Sequence, residues 1–450
     1  MSVLAFFNRI DIAARVKKGV FLAASAVVIS CTPAPNLTQT PTVYLQQKYP
    51  ADTVPKALQT TQPKLYFVTD RFLADEWTDQ KPYSAERSPS MAFGEVTVSF
   101  GKDPEWENLV KASQTEERNR DIPLKIVDAD ELIRFPSTPL LFPLSDTSAE
   151  AFANPGFRTY KKREIEFKDS LSALLKQSNK QDIVLFIHGF NTKFDEAAYA
   201  MADIWHFSGR IGVPLFFTWP AGASGVLGYL KDRESGEYSV FHLKEMLRLI
   251  SETSGLERVH IIAHSRGADV VTTALRELII EARGAGISPY ETYKVENLIL
   301  AAPDLDFGVV RQRLLAERFH SGFGQVNVYV NQNDGALGVA QRLATGQRFG
   351  RLKSENLEQI DKAIFARTGN VHFIDVENSG SSVGHSYFRQ NPNVLSDIAL
   401  TLQNSASPGG IERPLLPISG NFWRLTEYYP FDVRPDGFGE DFPDEQQTEK

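Results

Sequence analysis

A serine becomes a nucleophile when a histidine takes its proton and a carboxylate orients and supports the imidazolium. One serine of this chain stands where such chemistry is possible. Ser265 lies between a short apolar run, Val259 to Ala263, and a segment with Val270, Val271, Ala274, Leu275 and Leu278 on one helical face. The two are joined by the tight corner His264-Ser265-Arg266-Gly267. A strand, an abrupt turn and a helix hold a serine hydroxyl above the end of a parallel sheet. The usual pattern there is G-x-S-x-G, and Ala263 takes the place of the first glycine. Strand and helix approach closely at this corner, so both flanking residues must be small; a methyl group still fits.

The partners lie downstream. For a serine on such a corner the chain order is Ser, then Asp or Glu, then His. The run Gln325–Val330 leads into Asn331-Gln-Asn-Asp334-Gly335, a turn suited to presenting Asp334. The last apolar run before the C-terminal helix, Asn370–Val376, is followed by Gly380-Ser-Ser-Val-Gly384-His385, a glycine- and serine-rich stretch that can carry His385 over the sheet. Asp304 and Asp306 compete for the acid's role, one strand earlier, and Asp375 lies inside the strand before His385. Asp334 is preferred, because helix capping suffices to account for Asp304 and Asp306. His188 reads as a packed residue shaping its loop. His264 adjoins the serine, but its backbone position aims it away. His206, His242, His260, His320 and His372 suit structural or surface roles. A developing oxyanion needs backbone donors. The expected ones are the N–H of Arg266 and that of Phe190, in the loop His188-Gly189-Phe190-Asn191. Trp219 and Phe190 are candidates to line the pocket.

The elements that must position these residues alternate. Apolar strands are expected at 182–188, 213–219, 259–263, 296–302, 325–330 and 370–376, with helices at 164–177, 194–211, 238–254, after Ser265, at 309–318, within 337–365 and at 393–402. Continuous apolar strands between helices indicate a parallel sheet covered on both faces. Lys64–Asp70 and Phe93–Phe100 read as an antiparallel edge of that sheet. Residues 101–160 give no functional reading. The expected organisation is a signal segment over 1–30, a disordered tether over 31–63, a catalytic domain over 64–425 and an acidic, disordered tail over 426–450.

The stretches Val-Thr-Asp-Arg, Phe-Gly-Glu-Val, Phe-Ile-His-Gly-Phe-Asn, Phe-Thr-Trp-Pro, Ala-His-Ser-Arg-Gly, Ala-Ala-Pro-Asp-Leu-Asp, Asn-Asp-Gly-Ala-Leu and Gly-His-Ser-Tyr-Phe occur in that order. Together, over about residues 65–425, the chain resembles a poorly characterised bacterial branch of the α/β-hydrolase superfamily, related to esterases and lipases. The resemblance implies the α/β-hydrolase fold, a Ser265, Asp334, His385 triad and hydrolysis of a carboxylic ester through an acyl-enzyme. It leaves the substrate open, whether a small molecule or a lipid. An acyltransferase or thioesterase would use the same triad. The reading from another class is a non-catalytic binding or structural lipoprotein on a hydrolase scaffold.

Composition narrows the partners. The chain has 450 residues, 42% of them hydrophobic, enough for a sizeable core. Its net charge is −8 and no basic block occurs, which speaks against nucleic acid. A single cysteine, Cys31, precludes an internal disulfide and a cysteine-based zinc site. Neither H-E-x-x-H nor a phosphate- or dinucleotide-binding glycine pattern is present, so no metal or cofactor is expected.

The N-terminus reads as a targeting segment. Arg15, Lys17 and Lys18 precede the apolar run Val20–Ile29, shorter than the roughly 20 residues a bilayer span needs. The run ends in Val28-Ile29-Ser30-Cys31, which resembles the bacterial lipoprotein box. The resemblance implies lipidation of Cys31, a membrane partner through that anchor, and residence in the cell envelope at the periplasmic side of the outer membrane. Thr32 to Pro63, rich in Pro, Thr and Gln, is expected to be a tether.

Overall fold

The computed structural model describes residues 36–343, 346–377 and 384–431. Its strands in chain order are β1 (Lys64–Thr78), β2 (Lys81–Phe100), β3 (Leu124–Arg134), β4 (Asp182–Ile187), β5 (Val213–Thr218), β6 (Arg258–His264), β7 (Val295–Ala301), β8 (Gln325–Val330), β9 (Val371–Val376), β10 (Leu416–Ser419) and β11 (Phe422–Leu425). They form one sheet in the order β10-β11-β9-β8-β7-β6-β4-β5-β1-β2-β3. From β1 to β11 across the middle, neighbours run parallel. β2 and β3 are antiparallel at one edge and β10 at the other. This is the expected mostly parallel sheet with an antiparallel N-terminal edge.

The inner strands read as unbroken apolar runs because both faces are covered. In β4, Ile183, Leu185 and Ile187 enter the core on one face, while Val184 and Phe186 enter the core on the other. The first core is roofed by α1 (Pro155–Leu175), α3 (Gly225–Ser251) and α4 (Gly267–Gly284), through Phe167, Met246 and Leu275 among others. The second is roofed by α2 (Phe194–Phe207) and α6 (Pro392–Asn404), through Met201, Trp205 and Ile398. A further helix, α5 (Gly335–Leu343), succeeds the turn after β8. Burying each such side chain contributes about 1.5–3 kcal/mol, so the sheet is a rigid platform for the loops at its carboxyl edge.

Several expectations change. Asn36 to Pro63 is not a tether. Leu37, Val43, Tyr44, Tyr49 and Val54 are buried, and the Tyr44 and Tyr49 hydroxyls donate to the carbonyls of Phe207 (2.6 Å) and His206 (2.9 Å). The Pro/Thr/Gln composition argues against a helix or strand of its own, but irregular chain can still pack anchor by anchor onto a surface already formed. At the other end, Thr426 to Phe431 is described as well. Tyr429 is buried and its hydroxyl donates to Asp397 (2.5 Å). α3 begins at Gly225, thirteen residues before the helix expected from 238, and β1 runs eight residues beyond Asp70. The register pairs Thr69 with Thr218 at the end of β5, so the hairpin of β1 and β2 rises past the carboxyl edge. β11 adds beside β9, beyond the strand expected to end the sheet. The expected signal segment, Cys31 and the acidic tail from Asp432 lie outside the described residues, as do residues 378–383 before His385. No helix among the described residues is long and apolar enough to cross a membrane.

Candidate active site

β6 ends at His264 and α4 starts at Gly267, which leaves two residues to reverse the chain. Ser265 does so with φ of +52°, in the left-handed region that costs an ordinary residue strain. The surroundings hold it there. Its N–H donates to Ala301 O (3.0 Å), and its carbonyl accepts from the N–H of Ala268 and of Asp304, both at 3.1 Å. The close approach explains the small residues. A Cβ on Gly267 would sit 2.3 Å from His188 O, and one on Gly189 would sit 2.8 Å from the Ser265 Cβ. Ala263 is fully buried between Ile187 and Leu300 of the neighbouring strands, where its methyl group is accommodated.

Asp334 comes four residues after β8 and divides its carboxylate between two tasks. Oδ1 accepts the N–H of Leu337 (2.9 Å), capping the start of α5, and Oδ2 faces His385 Nδ1 at 2.7 Å. His385 Nε2 lies 2.6 Å from Ser265 Oγ. A carboxylate only accepts, so Nδ1 carries the proton and Nε2 offers its lone pair to the serine hydroxyl. Burial on its own would draw the His385 pKa down. The charge and hydrogen bond of Asp334, with a smaller contribution from Asp304, outweigh it and raise the pKa above the ordinary histidine value. Burial pushes Asp334 the other way, and His385 brings it below the usual carboxylate range.

The other candidates fall elsewhere. Asp306 caps a helical turn through Val309 N–H (2.9 Å). Asp304 Oδ2 accepts from the Tyr229 hydroxyl (2.6 Å), and its Oδ1 is 3.4 Å from Arg348 Nε. Asp375, on β9, lines a polar cavity of about 450 Å³ with Asn333, Lys353 and Glu377, outside the Ser265–His385 pair. His188 is buried and stacks on Trp219; its Nε2 accepts from Trp219 N–H (3.1 Å). Trp219 is itself fully buried, with its indole N–H on His188 O (2.9 Å), so it belongs to the core and not to a pocket wall. Phe190 is partly exposed, with its ring edge against Tyr229. Among the described residues no protein acceptor takes the backbone N–H of Phe190 or of Arg266, the two expected oxyanion donors. No cluster of potential metal ligands occurs among the described residues.

Sequence reasoning missed His264. It makes no hydrogen bond to the serine, but it packs 4.8 Å from the His385 ring and stacks on Phe388, with Nε2 3.0 Å from the His385 carbonyl. A carbonyl only accepts, so His264 Nε2 must carry a proton. Burial and then His385 itself hold its pKa far below the ordinary value, to about 3. The local sequence carried no signal that the ring would meet His385 and Phe388, more than 120 positions away.

No curated protein matches the chain. Among solved structures, a predicted CIB-like hydrolase from Thermoplasma acidophilum is similar at 15% identity and a TM-score of 0.28, over 50% of this chain and 86% of that one. An esterase from Pyrobaculum calidifontis is similar at 12% identity and a TM-score of 0.28, over 54% of this chain and 93% of that one. The family model "Alpha/beta hydrolase of unknown function (DUF900)" matches residues 163–403, which span β4 to β9 together with Ser265, Asp334 and His385. That match takes in more than half of the chain, and the protein belongs to this α/β-hydrolase family.

Proposed function

We propose that the protein is a serine hydrolase that cleaves carboxylic esters through an acyl-enzyme. The observation that carries the reading is the continuous relay from Ser265 Oγ to His385 Nε2 (2.6 Å) and from His385 Nδ1 to Asp334 Oδ2 (2.7 Å). Ser265 Oγ attacks the ester carbonyl carbon as its proton passes to His385 Nε2. The carbonyl oxygen takes up the negative charge and is met by the N–H of Phe190 and Arg266. As the C–O bond to the alcohol breaks, His385 returns the proton to the leaving oxygen. Water then attacks the acyl-enzyme, giving its proton to the same nitrogen, and the acid leaves with Ser265 restored. Asp334 keeps the Nδ1–H tautomer and supports the imidazolium. A fluorophosphonate probe and a panel of aryl esters of increasing acyl length test the reading. Labelling at Ser265 with turnover of at least one ester is expected. A folded protein that is neither labelled nor active is a binding scaffold, and transfer of the acyl group to an added alcohol in preference to water makes it an acyltransferase.

The same reading puts the domain at a bacterial envelope membrane, held by lipid on Cys31. Its support is the basic flank, the short apolar run and Ser30-Cys31 in the sequence. One acyl chain binds marginally, at about 0.8 kcal/mol per buried CH₂, whereas several anchor firmly. Intact mass and fractionation of wild type against Cys31→Ala decide it; an unmodified Cys31, or membrane retention unchanged in the variant, removes the anchor.

A further inference from the structure

The Val-Thr-Asp-Arg stretch of β1 has no part in the chemistry above, yet its arginine is bonded to both ends of the loop that carries Phe190. Arg71 is 1% exposed. All five of its N–H groups are used. Nε donates to Thr218 Oγ1 (2.8 Å), one terminal nitrogen to the carbonyls of Ala221 (2.8 Å) and Ser84 (3.2 Å), and the other to Thr192 O (2.8 Å) and His188 Nε2 (3.3 Å). Among the described residues no carboxylate lies within ion-pair distance of it. A buried guanidinium is normally paired with an acid. Here its donors go to three backbone carbonyls, a threonine hydroxyl and a histidine, and two of those five acceptors, on His188 and Thr192, bracket the stretch that contains Phe190. Burial draws its pKa down to about 10, which leaves it charged at neutral pH.

The same stretch is held at a second point by α3. Asp232 is buried, and its Oδ2 accepts the N–H of Asn191 (2.9 Å) and of Gly222 (3.2 Å). Asn191 sits at φ of +52°, a conformation that a free loop would seldom keep. Phe190 lies between the two grips. The Phe190 N–H belongs to the Gly189–Phe190 peptide, whose carbonyl accepts from His188 Nδ1 (2.9 Å), and Arg71 fixes that imidazole through its Nε2; the next peptide, Phe190–Asn191, is held by Asp232 through the Asn191 N–H.

We infer that Arg71 and Asp232 are positioning residues for the oxyanion site, fixing the Gly189–Thr192 loop so that the Phe190 N–H faces the carbonyl oxygen of an ester bound at Ser265. The inference rests on the ester-hydrolase reading and extends it beyond the matched region 163–403, into the N-terminal hairpin. It also gives that hairpin a role, because β1 delivers Arg71 and β2 supplies the Ser84 carbonyl that completes its bonding. A donor turned away from the oxyanion costs on the order of 10²-fold in turnover, without any contact to the substrate's remaining groups being lost.

The test compares wild type with Arg71→Gln, Asp232→Ala and Asp232→Asn. It reads aryl-ester kinetics against pH, together with affinity for a trifluoromethyl ketone and for the matching methyl ketone. The fluorinated ketone adds Ser265 and places an oxyanion in the hole; the methyl ketone does so hardly at all. Arg71→Gln and Asp232→Ala should lower kcat by about 10²-fold, leave KM little changed, and weaken the fluorinated ketone in the same proportion. The acid limb of the pH profile should stay in place, because the His385–Asp334 pair is untouched. Asp232→Asn should recover most of the loss, since its amide oxygen can still take the Asn191 N–H. If Arg71→Gln does not fold, the Asp232 pair decides. A folded Asp232→Ala with kcat within about threefold of wild type overturns the inference. So does an equal loss of affinity for both ketones, which would mark general disorder of the site. An inactive wild type overturns the esterase reading and this one with it, whereas active wild type beside undisturbed variants overturns this one alone.

Discussion

Replacing Gly189 by alanine tests how closely the fold constrains the chemistry. A Cβ there would lie 2.8 Å from Ser265 Cβ, 3.1 Å from His264 O and 3.2 Å from His264 Nδ1. Carbon atoms in comfortable contact are about 3.5–4.0 Å apart, so the loop and the elbow must separate by about 0.7–1.2 Å. Neither side yields easily. Ser265 is fixed through its backbone to Ala301 and Asp304, and the loop is fixed by Arg71 and Asp232. A displacement of about 1 Å at a reacting group costs on the order of 10²-fold in rate, and overpacking of this kind costs about 1–3 kcal/mol of stability. The control is Gly284→Ala, at the end of α4, where an added methyl meets nothing within 4 Å. Aryl-ester kinetics and thermal melts on both variants make the comparison. Gly189→Ala should lose about 10²-fold in kcat and melt lower, while Gly284→Ala should match or exceed wild type in both. A Gly189→Ala variant with wild-type turnover would refute the close-packing reasoning, because the elbow would then have slack that the distances deny.

Ser265→Ala and His385→Ala should each lose roughly 10⁴-fold or more in kcat with melting unchanged, and retention of a tenth of wild-type turnover by either would remove it from the relay. Asp334→Asn should cost far more than Asp304→Asn or Asp306→Asn, because only Asp334 meets His385 Nδ1; the reverse order in a side-by-side assay would move the acid one strand earlier. His385 must be neutral to accept the serine proton, and its pKa is raised, so kcat/KM should fall on the acid side with a midpoint above pH 6.5; a midpoint below that value would mean that Asp334 does not support the charge. His188, His206, His264 and His372 are held neutral, by burial first and then by nearby Arg71, Arg210, His385 and Arg413. Unfolded histidines bind protons below about pH 6.5 while these four do not, so stability is full above that pH and declines as pH falls toward 4. Asp203, which burial lifts to about 6, takes up a proton in the folded state and offsets one of the four. The net loss is about 4 kcal/mol per pH unit at most, and urea titrations giving equal stability at pH 7 and pH 5 would contradict it.

How much of this was legible in the sequence depended on whether the signal was local or spatial. The inner strands were legible because burial on both faces leaves an unbroken apolar run, as in Asp182–Ile187 and Gln325–Val330. Ser265, Asp334 and His385 could be singled out because each comes after a parallel strand, and such strands end at one edge. The acid was the harder choice. Asp304 and Asp334 occupy equivalent positions one strand apart, and only the Tyr229 hydroxyl and Arg348, distant in sequence, show that Asp304 is otherwise engaged. The packed segment Asn36–Pro63 was misread because its apolar anchors are spaced irregularly and gain meaning only against a surface made by residues 100–210. Arg71 belongs to a recognisable strand motif, but nothing in the order of residues says that a strand-end arginine will reach a loop about 120 positions on.

His264 shows why the site needs its second imidazole to stay neutral. The ring stands 4.8 Å from His385, close enough that two imidazolium ions would repel strongly in a partly buried site. In the proposed reaction, transfer of the serine proton makes His385 a cation, so a charged His264 would oppose that step. The structure avoids this in two ways. Burial disfavours charge on His264, and the proton it does carry is directed through Nε2 to the His385 carbonyl, where it anchors the backbone of the base instead of competing for Asp334. The stacking of His264 on Phe388 fixes the ring in that orientation. The residue before Ser265 therefore reaches His385 through its main chain, and the elbow that strains Ser265 also sets the height of His385 above it.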